Sequence, residues 1–282
     1  MLDTCDSQEF ASLPPGQIVP CLADQGRCIA SEASFYRILR AEGQQHHRGR
    51  AMPPVRRRPP TSHRTRGPCE VWSWDITWMP GPIRGVFFYL YLIRDIFSRK
   101  IVGWEVHERE SAEHAAELAC KAVGAEACLT RPLVLHADNG SPMKGATMKA
   151  TLERLGVIAS CSRPRVSDGN PFSEALFRTC KYRPDWPTSG FASKEDAQRW
   201  VARFVAWYNH EHRRSAIRFV TPSARHTGED RALLARRTQL HTEARAANPT
   251  RWSRQIRNGS TVGDVCLNPE RDTGGRKIRD AT

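Results

Sequence analysis

The order of apolar runs predicts an α/β fold: a five-stranded mixed sheet with flanking helices, preceded by a small helical region. Three observations lead there. Between residues 70 and 107, three stretches rich in aromatic and β-branched residues follow one another across short turns, as an antiparallel meander requires. Beyond Ser111, helical and strand periods alternate, the pattern of helices packed on a sheet. Acidic residues also stand inside or at the ends of those apolar runs, where an unpaired charge is costly and wants a reason.

Residues 1–13 carry no periodic pattern and are expected to be unstructured. From Pro14 the spacing of Ile18, Val19, Leu22 and Ala23 predicts a helix broken at Asp24-Gln25-Gly26, and a second helix runs from Ser31 through Phe35, Tyr36 and Leu39 to Gly43. Two short helices around a Gly-containing turn make a helix-turn-helix plausible over 14–43, with Ser31, Ser34 and Arg37 facing DNA; an ordinary helical hairpin has the same periodicity. Residues 44–68 read as a basic linker. Pro53-Pro54, Pro59-Pro60 and the run Arg56, Arg57, Arg58 prevent a packed core, and such an arm can track phosphates without reading sequence.

The main domain is expected over 69–226. Its first strand ends at Met79-Pro80-Gly81-Pro82, its second covers Val86 to Phe97 and its third Lys100 to His107. A helix from Ser111 to Cys128 leads to a strand at Leu133. A second helix, Ala146 to Leu155, ends at Gly156, and Val157 to Ser160 forms a fifth strand. A polar loop, 162–170, carries Arg163 and Arg165 and precedes a helix opening at Pro171. A long amphipathic helix from Ser193 buries Ala197, Trp200, Val201, Phe204, Val205 and Tyr208. Residues 227–282 read as a basic tail, helical near 231–244 and without an expected fold over its last thirty residues.

Three acids stand out. Asp75 sits in mid-strand; Asp138 ends a short apolar strand before Asn139-Gly140; Glu174 falls in the first turn of a helix, with 35 residues between it and Asp138. They converge only if the sheet carries that helix on its face. Three converging carboxylates stay ionised only around hard cations, and oxygen-only ligation selects Mg2+ or Mn2+ over zinc. On composition alone Asp95 and Asp168 compete for the same role; Asp95 is ranked as structural, paired to Arg94 or Arg99, and Asp168 as loop.

Charge narrows the partner. With 43 Lys and Arg against 30 Asp and Glu, the formal balance is +13, which favours a polyanion, nucleic acid first. Residues 44–67 hold seven arginines and no acid, which fits either a DNA-tracking arm or a solvated linker. Nine scattered cysteines, none in the close pairs of a zinc knuckle, read as reduced thiols. No apolar run approaches the ~20 residues of a membrane span, so the expected location is the cytoplasm, associated with the nucleoid, with no membrane partner.

Asp75 within Trp72-Ser73-Trp74-Asp75-Ile76-Thr77, Asp138 within His136-Ala137-Asp138-Asn139-Gly140, and Glu174 followed seven residues on by Lys181 resemble the acids and trailing basic residue of DDE transposases. More narrowly, the stretches Ser98 to Trp104, Ser162 to Asp168 and Trp207-Tyr208-Asn209 are similar to bacterial insertion-sequence transposases akin to retroviral integrases. The resemblance runs from residue 15 to about 226 and implies a ribonuclease-H-like integrase catalytic core. It selects Asp75, Asp138 and Glu174 as ligands of two Mg2+ or Mn2+ ions, Asp75 bridging both, and reverses the balance at 14–43 toward a DNA-binding helix-turn-helix. The implied activity is metal-dependent DNA cleavage and strand transfer at the ends of an insertion sequence. The implied partners are double-stranded DNA, as terminal repeats and target, further copies of the chain on that DNA, and the product of an upstream reading frame. Lys181, Asn139, Arg163 and Arg165 would lie along the DNA. Arg214, where relatives often have His, and Gly169, where they have a polar residue, depart from the pattern without removing an acid. Two other functions stay open: a DNA-binding regulator that occupies element ends without cutting them, and a nuclease of this fold acting on RNA in hybrids, which would not need a helix-turn-helix.

Overall fold

The computed structural model describes residues 1–45, 62–138, 140–162 and 170–269. The chain divides into two compact units, Met1–Arg58 and Pro59–Thr282.

In the first unit, α1 (Leu2–Asp6), α2 (Pro15–Asp24) and α3 (Glu32–Ala41) enclose Cys5, Phe10, Ile18, Leu22, Phe35 and Leu39. Pro15 opens α2, where its missing N–H is no loss, and the Ser31 hydroxyl caps α3 by accepting the Ser34 N–H at 3.4 Å. The expectation of an unstructured N-terminus is corrected: a two-helix hairpin leaves one apolar side open, and Cys5 and Phe10 close it. Two isolated apolar residues make no readable period, which is why the helix was not legible.

The second unit is built on a sheet of β2 (Val71–Pro80), β3 (Phe87–Asp95), β4 (Ile101–His107), β5 (Leu133–Ala137) and β6 (Val157–Cys161), in the order β4-β3-β2-β5-β6. Short turns make β2/β3 and β3/β4 antiparallel; one is closed by the Gly81 N–H on the Val86 carbonyl at 2.8 Å. The β2/β5 and β5/β6 pairs are parallel, because α4 (Ala112–Ala125) intervenes before β5, and α5 (Ser141–Lys144) with α6 (Ala146–Arg154) before β6. This is the ribonuclease-H-like arrangement.

Strand alternation divides the side chains between two cores. On one face Trp72, Trp74, Tyr91, Ile93, Leu133, Leu135 and Ala137 meet the alanines of α4 and Met148 and Leu152 of α6. Gly103 permits that close approach, since a Cβ there would lie 3.1 Å from the Ala122 Cβ. On the other face Leu90, Leu92, Ile101 and Val106 meet Leu176 and Phe177 of α7 (Pro171–Lys181) and Trp200, Val201, Phe204 and Tyr208 of α8 (Lys194–His210). Ser73 and Asp75 alternate with the tryptophans, and His136 and Asp138 with Leu135 and Ala137, so all four belong to the α7 side.

Two segments expected to lack structure are ordered against each other. β1 (His63–Thr65), at the end of the supposed linker, pairs antiparallel with β7 (Val265–Leu267), beyond α9 (Pro222–Thr227) and α10 (Asp230–Ala247). Val265 and Leu267 pack on Val71 and Ile96. Three-residue strands about 200 positions apart leave no periodic signal, because each is defined by the other. Among the described residues, no helix is long and apolar enough to cross a membrane.

Leu267 is fully buried. Leu267→Ala is expected to lower the unfolding free energy by about 2–4 kcal/mol in urea titration, the range for truncating a buried leucine.

Candidate active site

Parallel pairing of β2 with β5 sets Trp74 opposite Ala137, which brings Asp75 beside Asp138, one residue past the end of β5. Asp75 is half-buried, and its Oδ1 accepts the Ile76 N–H at 2.8 Å. Glu174 is exposed in the first turn of α7, where the helix N-terminus favours a carboxylate. Two contacts fasten that turn to β2. The Ser73 and Ser173 hydroxyls lie 3.2 Å apart, and Asn170 Nδ2 donates to the Trp74 carbonyl at 3.2 Å. The residues flanking Glu174 are thereby pinned to the residues flanking Asp75.

Asp138 is oriented from behind. Its Oδ1 accepts from Ser162 Oγ at 3.1 Å, and that hydroxyl lies 3.2 Å from His136 Nε2. His136 Nδ1 is 3.0 Å from Ser160 Oγ, itself 2.7 Å from His63 Nε2. A buried polar relay thus runs from β1 across β6 and β5 to the acid. Sequence reasoning gave Ser160, Ser162 and His63 no part in it; their signal was only a polar side chain at or beside a strand.

The acids repel. Burial and the charge of Asp138 push the Asp75 carboxyl up to about 7; Glu174 and Glu110 add to this, and the Ile76 N–H opposes it. Glu110, not foreseen as a fourth acid, accepts from Trp78 Nε1 at 3.1 Å. Asp75, Asp138 and Glu174 offer oxygen alone, and the buried Asn170 Oδ1 has no hydrogen-bond partner. A hard dication fits such a set, since it replaces mutual repulsion with attraction.

The other expected contacts are spread out. Lys181 is exposed at the end of α7, seven residues from Glu174 and hence on the same helical face about 10 Å along the axis. Ser31 and Ser34 are joined by their hydroxyls at 3.1 Å in the α3 cap, so their polar groups already have a structural role, while Arg37 is exposed on α3. Asn139, Arg163, Arg165, Arg56, Arg57 and Arg58, with Asp168 and Gly169, lie outside the described residues. Asp95 is structural as expected, but its hydrogen bonds come from Cys69 N–H and from the backbone and hydroxyl of Ser98, not from a guanidinium.

Two sequence models described as the integrase core domain match residues 65–167 and 155–222, a joint span that contains all three acids. The chain belongs to the integrase core domain family. The transposase for insertion sequence element IS904 of Lactococcus lactis is 28% identical over 157 residues, 55% of this chain and 60% of that protein. Transposase InsF for insertion sequence IS3A of Escherichia coli is 28% identical over 115 residues, 41% of this chain and 39% of that one. The integrase-core chain therefore spans from about two fifths to three fifths of these relatives' length. Among solved structures, a simian T-cell lymphotropic virus intasome in complex with a PP2A regulatory subunit superposes with a TM-score of 0.48 at 17% identity, over 74% of this chain and 70% of that one. The HTLV-2 integrase catalytic core domain in complex with magnesium gives 0.39 at 16%, over 57% and 96%.

The raised Asp75 group has a definite pH signature. Between its unfolded value near 4 and its folded value of about 7, the folded chain holds a proton the unfolded chain releases, so stability falls as pH rises through that window. Asp75→Asn, measured without divalent ions, should be more stable than the parent at pH 8 by roughly 2–4 kcal/mol, the difference vanishing near pH 4. Equal stabilities at pH 8 would mean that the acids do not crowd one another.

Proposed function

We propose that this chain is the catalytic part of a transposase that cuts DNA at the ends of an insertion sequence and joins the freed 3′ ends to a target. What carries the reading is the approach of Asp75 and Asp138 on neighbouring parallel strands, facing the helix turn that bears Glu174, with Asp75 driven toward neutrality by burial and by the neighbouring acids. Asp75, Asp138 and Glu174 would hold two Mg2+ or Mn2+ ions. Such a pair supplies activation of the attacking water or 3′-hydroxyl and stabilisation of the leaving oxygen.

The rest of the site works by position. Ser162, backed by His136, holds one oxygen of the Asp138 carboxylate. Ser73 and Asn170 tie the first turn of α7 to β2, which supports a fixed position for Glu174 over the sheet. Lys181 would meet a phosphate of the element end, and Asn139, Arg163, Arg165 and the arginines 56–58 would extend that contact. Joining two ends in one reaction calls for more than one copy of the chain on the DNA, and the work belongs in the cytoplasm.

Strand joining is measured with pre-cut oligonucleotides carrying the element's ends, in Mg2+, with parent and Glu174→Gln side by side. Products from the parent, lowered at least about 100-fold in the variant while DNA retention is unchanged, are expected. Equal retention of DNA with no product from either protein would favour a regulator that binds without cutting. Lys181→Ala should weaken DNA binding on all sequences alike and reduce the slope of log affinity against log salt by about 1.

A further inference from the structure

Ahead of β2, elements distant in sequence gather a second set of ligating atoms. Cys69, Glu126 at the C-terminal end of α4, and His226 on α9 each place a ligand atom within 4.8 Å of the other two. Cys69 Sγ lies 3.9 Å from His226 Nε2, and Glu126 Oε2 lies 2.9 Å from that nitrogen. The Cys128 thiol lies outside this group and donates to the Glu126 carbonyl at 3.3 Å. Asp75 stands six residues farther along the chain, on the order of 20 Å in extended backbone, so this group is separate from the acid site.

Hydrogen bonds settle which imidazole nitrogen is available. Ser98 Oγ gives its one proton to Asp95 Oδ1 at 2.7 Å, so at 2.9 Å it accepts from His226 Nδ1. Nε2 is left facing Glu126 Oε2. A neutral ring nitrogen and a carboxylate oxygen 2.9 Å apart are two acceptors, so a positive species, either a proton or a metal ion, must stand between them. Lys100 Nζ holds the other Glu126 oxygen at 2.6 Å. The sulfur favours the metal. Cys69 sits at φ 64°, a left-handed conformation unfavourable to any residue with a Cβ, and its N–H is tied to Asp95 Oδ2 at 2.7 Å. The backbone is thus bent to hold a thiol beside the imidazole. Thiol, imidazole and carboxylate, the last two each braced by an outer hydrogen bond, form a donor set suited to zinc.

We propose that Cys69, Glu126 and His226, with a water molecule as fourth ligand, form a zinc site that fastens α9 to the start of β2 and the end of α4. Sulfur and nitrogen ligands of one tetrahedral zinc ion lie about 3.6 Å apart, close to the distance found, and the nitrogen–oxygen gap need open only to about 3.3 Å. Binding releases the Cys69 thiol proton to solvent. One thiolate, one carboxylate and one dication leave the site neutral, and Lys100 stays on the other Glu126 oxygen.

The full chain, purified under reducing conditions with zinc and then desalted, is assayed for bound metal by atomic emission. About one equivalent is expected in the parent and in Asp75→Asn, and less than about a tenth in His226→Gln and Cys69→Ser. Cobalt replacement in the parent, a reading independent of whether the variants fold, should give a thiolate charge-transfer band and intense tetrahedral visible bands. No retained zinc together with no cobalt band would leave a proton in the gap and a plain His226–Glu126 ion pair, overturning the proposal. Zinc retained undiminished in His226→Gln would overturn it equally.

Discussion

Burial of the Asp75 carboxyl, with Asp138 beside it, is the constraint around which the larger unit is arranged. Parallel pairing of β2 and β5 brings the two acids side by side, and burial first, then the charge of Asp138, raises the Asp75 group. A site that works against folding needs a rigid frame. Trp72 and Trp74 supply it on the opposite face, where they are buried against α4 and α6. The small and polar residues Ser73, Asn170 and Ser173 seat α7 on the near face, at a height that larger side chains would not permit.

Positive charge lies behind the same helix. Arg94 and Arg99 are buried next to the start of α7, with their guanidinium carbons 5.6 and 4.1 Å from the Phe172 ring. Burial first, then the neighbouring charges of Arg94 and Arg214, brings Arg99 down to about 9. Phe172 stands two residues before Glu174, so ring and guanidinium planes stiffen the turn that presents the acid. Arg94 Nε and Nη1 and Arg99 Nη1 lack hydrogen-bond partners, an expense in the core that the stacking on Phe172 offsets in part.

The C-terminal segments act as a brace. Arg225 of α9 stacks on Phe97 at 4.0 Å, meets Asp230 at 3.4 Å and donates to the Val262 carbonyl at 2.9 Å. The next residue, His226, reaches Glu126 and Ser98. α9 therefore ties together the β3–β4 turn, the end of α4 and the segment that leads into β7. These are the same regions from which β2, and with it Asp75, departs.

The sequence by itself determined the order of sheet and helices and the two faces of β2, because alternation and helical period are local properties of the chain. It also brought Asp75 forward, since a charge inside an aromatic strand is visible without a structure, while the choice of Asp138 and Glu174 over Asp95 and Asp168 came from the resemblance. Glu110 escaped notice because a carboxylate in a turn looks like any other solvated one. The N-terminal helix, the β1–β7 pair and the relay from His63 to Asp138 were hidden for a common reason: each residue is ordinary until its partner is beside it. Cys69, Glu126 and His226 are the clearest case, with 57 and 100 positions between them and no short spacing to read. Only tertiary packing decided that group, because the distance between ligand atoms is fixed by where strands and helices end in space.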